Sequence, residues 1–260
     1  MDGLNSSGII MQLLFLGTSD GKTSTEHFHT SFLISDENTG LLIDTGDGIS
    51  KAILSAGRKF DDITSIFVTH CHSDHFCGLS SLVTQMILEK RTKPLKIITH
   101  KNLEKNIVTL LRISNIFVEE VFFTIELEFI ETGKWFSPVK NIEMMIRQNS
   151  HIRNKYFEEN KIPDDLKFFS ASLLFKISEE TIFYTSDIGG EKDLYLFREF
   201  KIDLMISEIA HINLEQIKKA ADILKPKKII LTHIPEMRRK NLENLPGNFI
   251  LSGDGMKMEI

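Results

Sequence analysis

Thr69-His70-Cys71-His72-Ser73-Asp74-His75 is the stretch on which the fold assignment turns. Three of the chain's nine histidines and one aspartate fall within six consecutive positions, at the spacing His-x-His-x-Asp-His. A strand-like pattern precedes it (Ile63, Ile66, Phe67, Val68), and a helix-like run follows (Gly78, Leu79, Leu82, Val83, Met86, Ile87). Clustered imidazoles and a carboxylate where a strand runs out describe a metal site at the mouth of a sheet. Neutral imidazole nitrogen and carboxylate oxygen both suit zinc, at about 2.0–2.2 Å. His70 and His72 are two apart, so in an extended chain their side chains leave on the same side. The cluster alone could feed two metals, with His70 and His72 on one ion and Asp74 and His75 on the other.

On either side of the motif the pattern alternates. Strand-like segments fall at 11–16, 30–35, 41–44, 65–69, 95–99, 120–131, 142–150, 171–177, 180–185, 203–206, 228–232 and 248–251. Helical patterns fall at 47–57, 78–90, 101–113, 192–199 and 213–224. Both outer thirds mix strands with helices, and the middle is mainly strands, which predicts an α/β fold with helices packed outside a sheet core. Residues 1–10 (MDGLNSSGII) read as an N-terminal extension or a remnant of cloning, because a strand pattern opens at Met11. Residues 11–260 read as one domain, a length that supports a sizeable core.

A net charge of −5 argues against nucleic-acid binding through bulk charge, though not against a local basic groove. No apolar run is long enough to span a bilayer, and the N-terminus lacks a secretory signal pattern, so no membrane partner and a cytoplasmic location are expected. Cys71 and Cys77 lie in or beside the motif and form no disulfide framework; Cys71 reads as a small buried hydrophobe facing away from the ligands.

Further candidate ligands follow strand patterns: His151 after 142–150, Asp187 after 181–186 and His233 after 229–232. Taken singly, each is as readily a turn or surface residue. His100 reads as a surface residue, and His27 and His29, in the loop Thr18–Thr30, as weak candidates bordering a site.

The ordered series Phe15-Leu-Gly-Thr18, Leu42-Ile-Asp-Thr-Gly46, Thr69 to His75, His151, Ser186-Asp187 and Leu231-Thr-His233 resembles the metallo-β-lactamase superfamily from about residue 11 onward. The resemblance implies a four-layer αβ/βα sandwich, two mixed sheets flanked by helices, with a dimetal site at one sheet edge. It implies two divalent ions, zinc with manganese or iron as alternatives. His70, His72 and His151 would hold one, Asp74, His75 and His233 the other, and Asp187 would bridge. Asp44 would support the ligands from behind, as a carboxylate that orients an imidazole does. An aspartate bridge and the missing signal pattern speak against an antibiotic hydrolase.

The segment Ser207-Glu208-Ile-Ala-His211 before the helical pattern at 213–224 is similar to the ribonuclease Z and phosphodiesterase branch. That similarity implies a metal-activated hydroxide as nucleophile, Asp74 helping to orient it, and His211, held by Glu208, as the acid that protonates the leaving oxygen. Ribonuclease Z carries a glycine-rich arm between the positions matching His151 and Asp187. Here residues 151–170 hold no glycine, balanced charges, and Tyr156, Phe157, Phe168 and Phe169. The stretch reads either as a lid whose aromatics stack on a base or as a surface loop packed on the core. The expected substrate is therefore a small phosphodiester, cyclic or nucleotide-like; RNA is not favoured. The alternatives are a tRNA 3′-processing endonuclease, a lactone or thioester hydrolase, and an iron-dependent redox protein. Relatives of the branch form dimers, so a homodimer is carried as an expectation. Arg238-Arg239-Lys240 could meet a phosphate but reads first as a solvated helix face.

Overall fold

A computed structural model describes residues 10–152, 167–242 and 245–260. The extension therefore lies outside the described residues except for Ile10, as does the aromatic loop between 153 and 166, with Tyr156 and Phe157. The first half runs β1 (Gln12–Gly17), β2 (Ser31–Ser35), β3 (Gly40–Ile43), α1 (Ile49–Ser55), β4 (Ser65–Val68), α2 (Ser73–Phe76), α3 (Leu79–Leu88), β5 (Leu95–His100), α4 (Glu104–Ile113) and β6 (Ile125–Ile130). The second runs β7 (Trp135–Val139), β8 (Ile142–Gln148), β9 (Ala171–Ile177), β10 (Glu180–Tyr184), β11 (Leu204–Glu208), α5 (Leu214–Leu224), β12 (Lys228–Thr232), α6 (Glu236–Arg239), β13 (Phe249–Leu251) and β14 (Lys257–Glu259).

The strands form two seven-stranded mixed sheets, ordered β14-β1-β2-β3-β4-β5-β6 and β13-β12-β11-β10-β9-β8-β7. Alternation along each strand sorts the apolar residues into layers. Leu13, Phe15, Phe32, Ile43 and Phe67 of one sheet meet Met144, Leu173, Phe175, Tyr184 and Ile206 of the other in a central core. Leu14, Leu16, Leu42, Ile66 and Val68 face the other way, onto Ala52 and Ile53 of α1, Leu82, Val83 and Met86 of α3, and Ile107 and Leu111 of α4. Phe183, Met205, Ile229 and Leu231 face Ile217 and Ala220 of α5. The result is the four-layer αβ/βα order. None of the described helices is long and apolar enough to cross a membrane.

Several boundaries depart from the sequence reading. The strand expected from residue 120 starts at Ile125, because Val118, Val121 and Phe123 pack under the helical layer instead of pairing. The helix expected over 78–90 is α3, Leu79–Leu88, and a short unexpected helix, α2, precedes it, joined through Cys77 and Gly78. A Cβ on Gly78 would fall 2.2 Å from the Gly46 carbonyl oxygen, so only glycine lets the two loops touch. The helix expected at 192–199 is a short 3₁₀ segment, Glu191–Tyr195. Strands β7 and β14 were not expected: both are edge strands, β7 carrying Pro138 and β14 three residues long, so neither has the apolar alternation of a buried strand.

Phe32 joins the two sheets, lying edge-to-face on Tyr184 with centroids 4.9 Å apart and 5.9 Å from Phe15. Phe32→Ala should cost about 3–5 kcal/mol, seen as a lower urea midpoint at unchanged slope. A loss under about 1 kcal/mol, the average for substitutions of every kind, would show that the sheets are not held together there.

Candidate metal centre

The parallel strands of both halves deliver their C-terminal ends to one edge, where β3, β4, β8, β10, β11 and β12 run out. Asp44, His70, His151, Asp187, Glu208 and His233 stand there, and α2 turns Asp74 and His75 back toward them. Thr69 ties the sheets together at this edge: it accepts from the Ser186 hydroxyl at 3.0 Å, and its carbonyl accepts from the Ala171 amide at 3.2 Å. Three residues at the edge have left-handed backbone, Asp44 (φ 63°), Ser186 (φ 50°) and His233 (φ 51°). Such conformations are unfavourable for side-chain-bearing residues and gather where a site demands them.

Three donor sets result among the described residues, Glu208, His211 and His233 forming one and the motif residues entering the other two. The donor atoms of His70, His72, His151 and Asp187 all lie within 4.8 Å of one another, as do those of Asp74, His75, Asp187 and His233. Asp187 belongs to both, and its two oxygens face different ways. Oδ1 lies 3.3 Å from His75 Nε2 and 3.4 Å from His233 Nδ1, and Oδ2 lies 3.5 Å from His151 Nε2. His151 Nε2 is 3.0 Å from His72 Nδ1, and Asp74 Oδ2 is 3.3 Å from His233 Nε2 and 3.5 Å from His75 Nε2. Tetrahedral ligands about 2.1 Å from an ion lie about 3.4 Å from each other, so these spacings fit a divalent ion in each of the two sets that share Asp187. His70 Nε2, His75 Nε2, Asp187 Oδ1 and His233 Nδ1 are buried without a hydrogen bond of good geometry. Buried polar atoms are normally paired, and all four converge on the same place. The residues present fit a pair of metals.

The protonation of the metal-free site follows from its charges. Burial keeps His70 well below the usual histidine range and His151 down at about 4, so both imidazoles are neutral and ready to ligate. Burial would raise Asp187, but His233 and His75 outweigh it and hold the carboxyl well below its ordinary value. Asp74 is likewise lowered against burial, chiefly by its hydrogen bond to His233. Burial pushes Asp44 up; His75, which burial would lower, is raised well above its usual value by Asp187 and Asp44. The proton between them therefore belongs to the His75 ring, 2.7 Å from Asp44 Oδ2 through Nδ1, which turns Nε2 toward the centre. The Thr69 amide and hydroxyl fill the rest of the Asp44 carboxylate, at 2.8 and 2.9 Å.

His211 and Glu208 are a pair. Glu208 accepts from the His211 amide at 2.8 Å and lies 3.2 Å from its Nδ1. The Glu208 hydrogen bond, against partial burial, raises the His211 pKa above its usual value. Nδ1 lies 3.9 Å from Asp187 Oδ2, and the ring, 41% exposed, stands over the centre beside His151.

Other expectations fare differently. The loop 18–30 does border the centre: Gly21 lies so close to Asp74 that a Cβ there would be 3.0 Å from its Oδ2. Within it His27 pairs with Glu236 and His29 with the Asp20 carbonyl oxygen, and neither joins a donor set. His100 is not at the surface. It ends β5 beneath Phe169, rings stacked at 3.7 Å, and Phe169 is itself buried and cannot meet a base. Arg238 and Lys240 are exposed, as a solvated helix face requires, yet the guanidinium groups of Arg238 and Arg239 also bond neighbouring loops. Cys71 packs against the central core with its thiol pushed up to about 12 by burial, and Cys77 is an exposed free thiol.

The sequence reading missed the supports. Asn149 accepts from the His151 amide at 3.1 Å and donates to the Asp187 carbonyl oxygen at 2.9 Å, fixing both loops at once. Asp193 accepts from the Ser150 amide and hydroxyl and from the Gly189 amide. Only Asn149 left a local signal, an Asx turn two residues ahead of a histidine.

Residues 11–250 match the family model of the anti-Pycsar protein Apyc1. The chain belongs to that family. It is also 33% identical over 119 residues to the ribonuclease Z of Gemmatimonas aurantiaca, a match spanning 46% of this chain and 37% of that relative's length. Human tRNase Z, short form (ELAC1), superposes with a TM-score of 0.72 at 19% identity, over 95% of this chain and 98% of the other. The metallo-β-lactamase fold protein YhfI from Bacillus subtilis gives 0.73 at 14% identity, over 97% and 100%. This Apyc1-family chain thus has the metallo-β-lactamase fold, and part of its sequence is similar to ribonuclease Z.

Asp44→Asn would remove the anion that holds the His75 proton. Metal affinity should fall roughly 10–100-fold, measured by competition with a chromophoric chelator, while the melting temperature of the metal-free protein changes little. Unchanged affinity would show that Asp44 serves the fold and not the centre.

Proposed function

We propose that the chain is a dimetal phosphodiesterase that hydrolyses a small or nucleotide-like phosphodiester. The observation that carries the reading is the Glu208–His211 pair beside the two donor sets that share Asp187. A carboxylate holds the imidazole by backbone and ring, and the imidazole is exposed where a leaving group would depart. His70, His72 and His151 would hold one ion and Asp74, His75 and His233 the second, with Asp187 shared between the two sets. The nitrogen and oxygen donors suit zinc, with manganese or iron as alternatives. The metals, when bound, supply Lewis acidity and lower the pKa of water to about 7.

The residues perform the rest. Asp74, an ionised carboxylate at the rim of the second set, accepts a proton-bearing contact from the attacking water and orients it. Glu208 favours the charged form of His211, and the ring gives its proton to the departing oxygen. Glu208 keeps the ring turned toward Asp187. A carboxylic-ester or lactone hydrolase has less need of such an acid, and a redox protein has none.

The second reading, tRNA processing, is favoured by the ribonuclease Z relatives. Against it stand a match limited to 37% of the first relative's length, a net charge of −5, and balanced charges without glycine in 151–170.

Three outcomes test the proposal. His211→Ala should slow hydrolysis of thymidine 5′-phenyl phosphate by about 10²–10⁴-fold with metal content intact, whereas parallel loss of metal would make it a ligand. Because the acid must be protonated, activity falls as pH rises through its pKa, so Glu208→Gln should move that alkaline limb to lower pH. Asp187→Ala should lower the bound metal, by elemental analysis, from two equivalents to one or fewer; full occupancy would rule out the bridge.

A further inference from the structure

We infer that Arg238 is a positioning residue for His211, an inference that rests on the acid role proposed above. His211 sits in the segment Ile209–Ile212, which has no helix or strand of its own between β11 and α5. Glu208 holds this segment from the metal side. From the opposite side Arg238 Nη1 donates to the Ile209 carbonyl oxygen at 2.6 Å and the Ile212 carbonyl oxygen at 3.2 Å. One guanidinium thus bridges the residues on either side of Ala210-His211. Ile209 and Ile212 bury their side chains in the core behind α5, so the segment is pinned at both ends and His211 projects from the middle. Charge-assisted hydrogen bonds from a rigid planar donor are the strong, directional kind.

The location of Arg238 gives the contact its meaning. It lies on α6, one turn beyond His233, so the element that follows a donor of the second set also fixes the acid. Its neighbours on α6 reach the other way. Arg239 Nη2 donates to the Thr18 hydroxyl at 2.7 Å, and Glu236 Oε2 lies 3.0 Å from His27 Nδ1. Those contacts hold the loop that carries Gly21 against Asp74. Three residues of α6 therefore brace the 209–212 segment on one side and the 18–30 loop on the other. The geometry makes Arg238 the part of this brace that acts on His211, with no contact of its own to the donor sets.

The general acid matters most when the leaving group is poor, and that separates this role from a structural one. The substrates are thymidine 5′-(p-nitrophenyl) phosphate and thymidine 5′-phenyl phosphate, which differ in the basicity of the departing phenol. In the metal-loaded protein Arg238→Ala should lower kcat on the phenyl ester by about 10- to 100-fold, the cost of displacing a catalytic group by about 1 Å, and on the p-nitrophenyl ester several-fold less. His211→Ala should show the same preference, and the double variant should be no slower than His211→Ala alone. Arg238→Lys, which can reach one carbonyl, should recover part of the loss. Hydrogen exchange of the 209–213 amides should quicken in Arg238→Ala with or without metal, at unchanged metal content. Equal losses on both esters, losses that multiply in the double variant, or unchanged exchange would overturn the inference while leaving the acid role standing. If His211→Ala itself discriminates between neither ester, or the unaltered protein turns over neither, the phosphodiesterase reading falls and this inference with it.

Discussion

Burying an ionised carboxylate is expensive, and leaving one of its oxygens without a good hydrogen bond adds about 1–3 kcal/mol more. Asp187 is buried in this way, and the surrounding architecture follows from compensating it. His75 and His233 stand on one oxygen and His151 on the other. Those imidazoles repel each other when charged, so the cluster divides: burial keeps His70 and His151 neutral, while Asp187 with Asp44 favours the charged form of His75. Imidazoles divided in this way around a shared carboxylate form an arrangement that a pair of cations completes and that hydrogen bonds among its own members do not.

Holding the donors at that spacing requires that two sheets end at the same place. The central core sets the sheets face to face, but it is non-directional and would tolerate sliding. The contacts through Thr69, from Ser186 and to Ala171, are directional and join the sheets beside the donors. The left-handed backbone of Asp44, Ser186 and His233 comes at the ends of β3, β10 and β12, where a strand must stop abruptly and aim one side chain inward. Glycine would adopt these conformations freely, but Asp44 and His233 are needed for their side chains. The strain is therefore retained where a donor or its support is placed and repaid by the surrounding packing.

This division also governs what the sequence disclosed. The motif from His70 to His75 is local, and it brings its own strand and helix, so its chemistry is visible in seven letters. His151, Asp187 and His233 became legible because each terminates a strand pattern and because their order matched a family. The four-layer fold followed from alternating strands and helices. What stayed hidden is non-local. Ser186 lies 117 residues from Thr69, and Arg239 lies 221 from Thr18. Arg238 read as a surface charge because nothing nearby in the chain shows that the carbonyls of Ile209 and Ile212 come to it. His100 and Phe169 went wrong for a related reason: a polar or aromatic residue beside a loop looks exposed until the partner that covers it is known, and these two cover each other. The edge strands β7 and β14 were missed because they need no buried alternation.

The exposed side of the centre carries a further consequence. Asp74, His75 and His233 are buried, whereas His72 and His211 are exposed and His151 is half-buried. Among the described residues, the centre is therefore open on the side of His72, His151 and His211. A ligand facing solvent is steadied by the ion it binds, but an acid that must hand over a proton has no such anchor and needs its place fixed by the protein. In the proposed acid role His211 is given two anchors, Glu208 through its amide and ring and Arg238 through the carbonyls of Ile209 and Ile212. The mobility that exposure brings is thus removed from the backbone of 209–212 and left, if anywhere, to the rotation of a single imidazole, whose charged form Glu208 already favours.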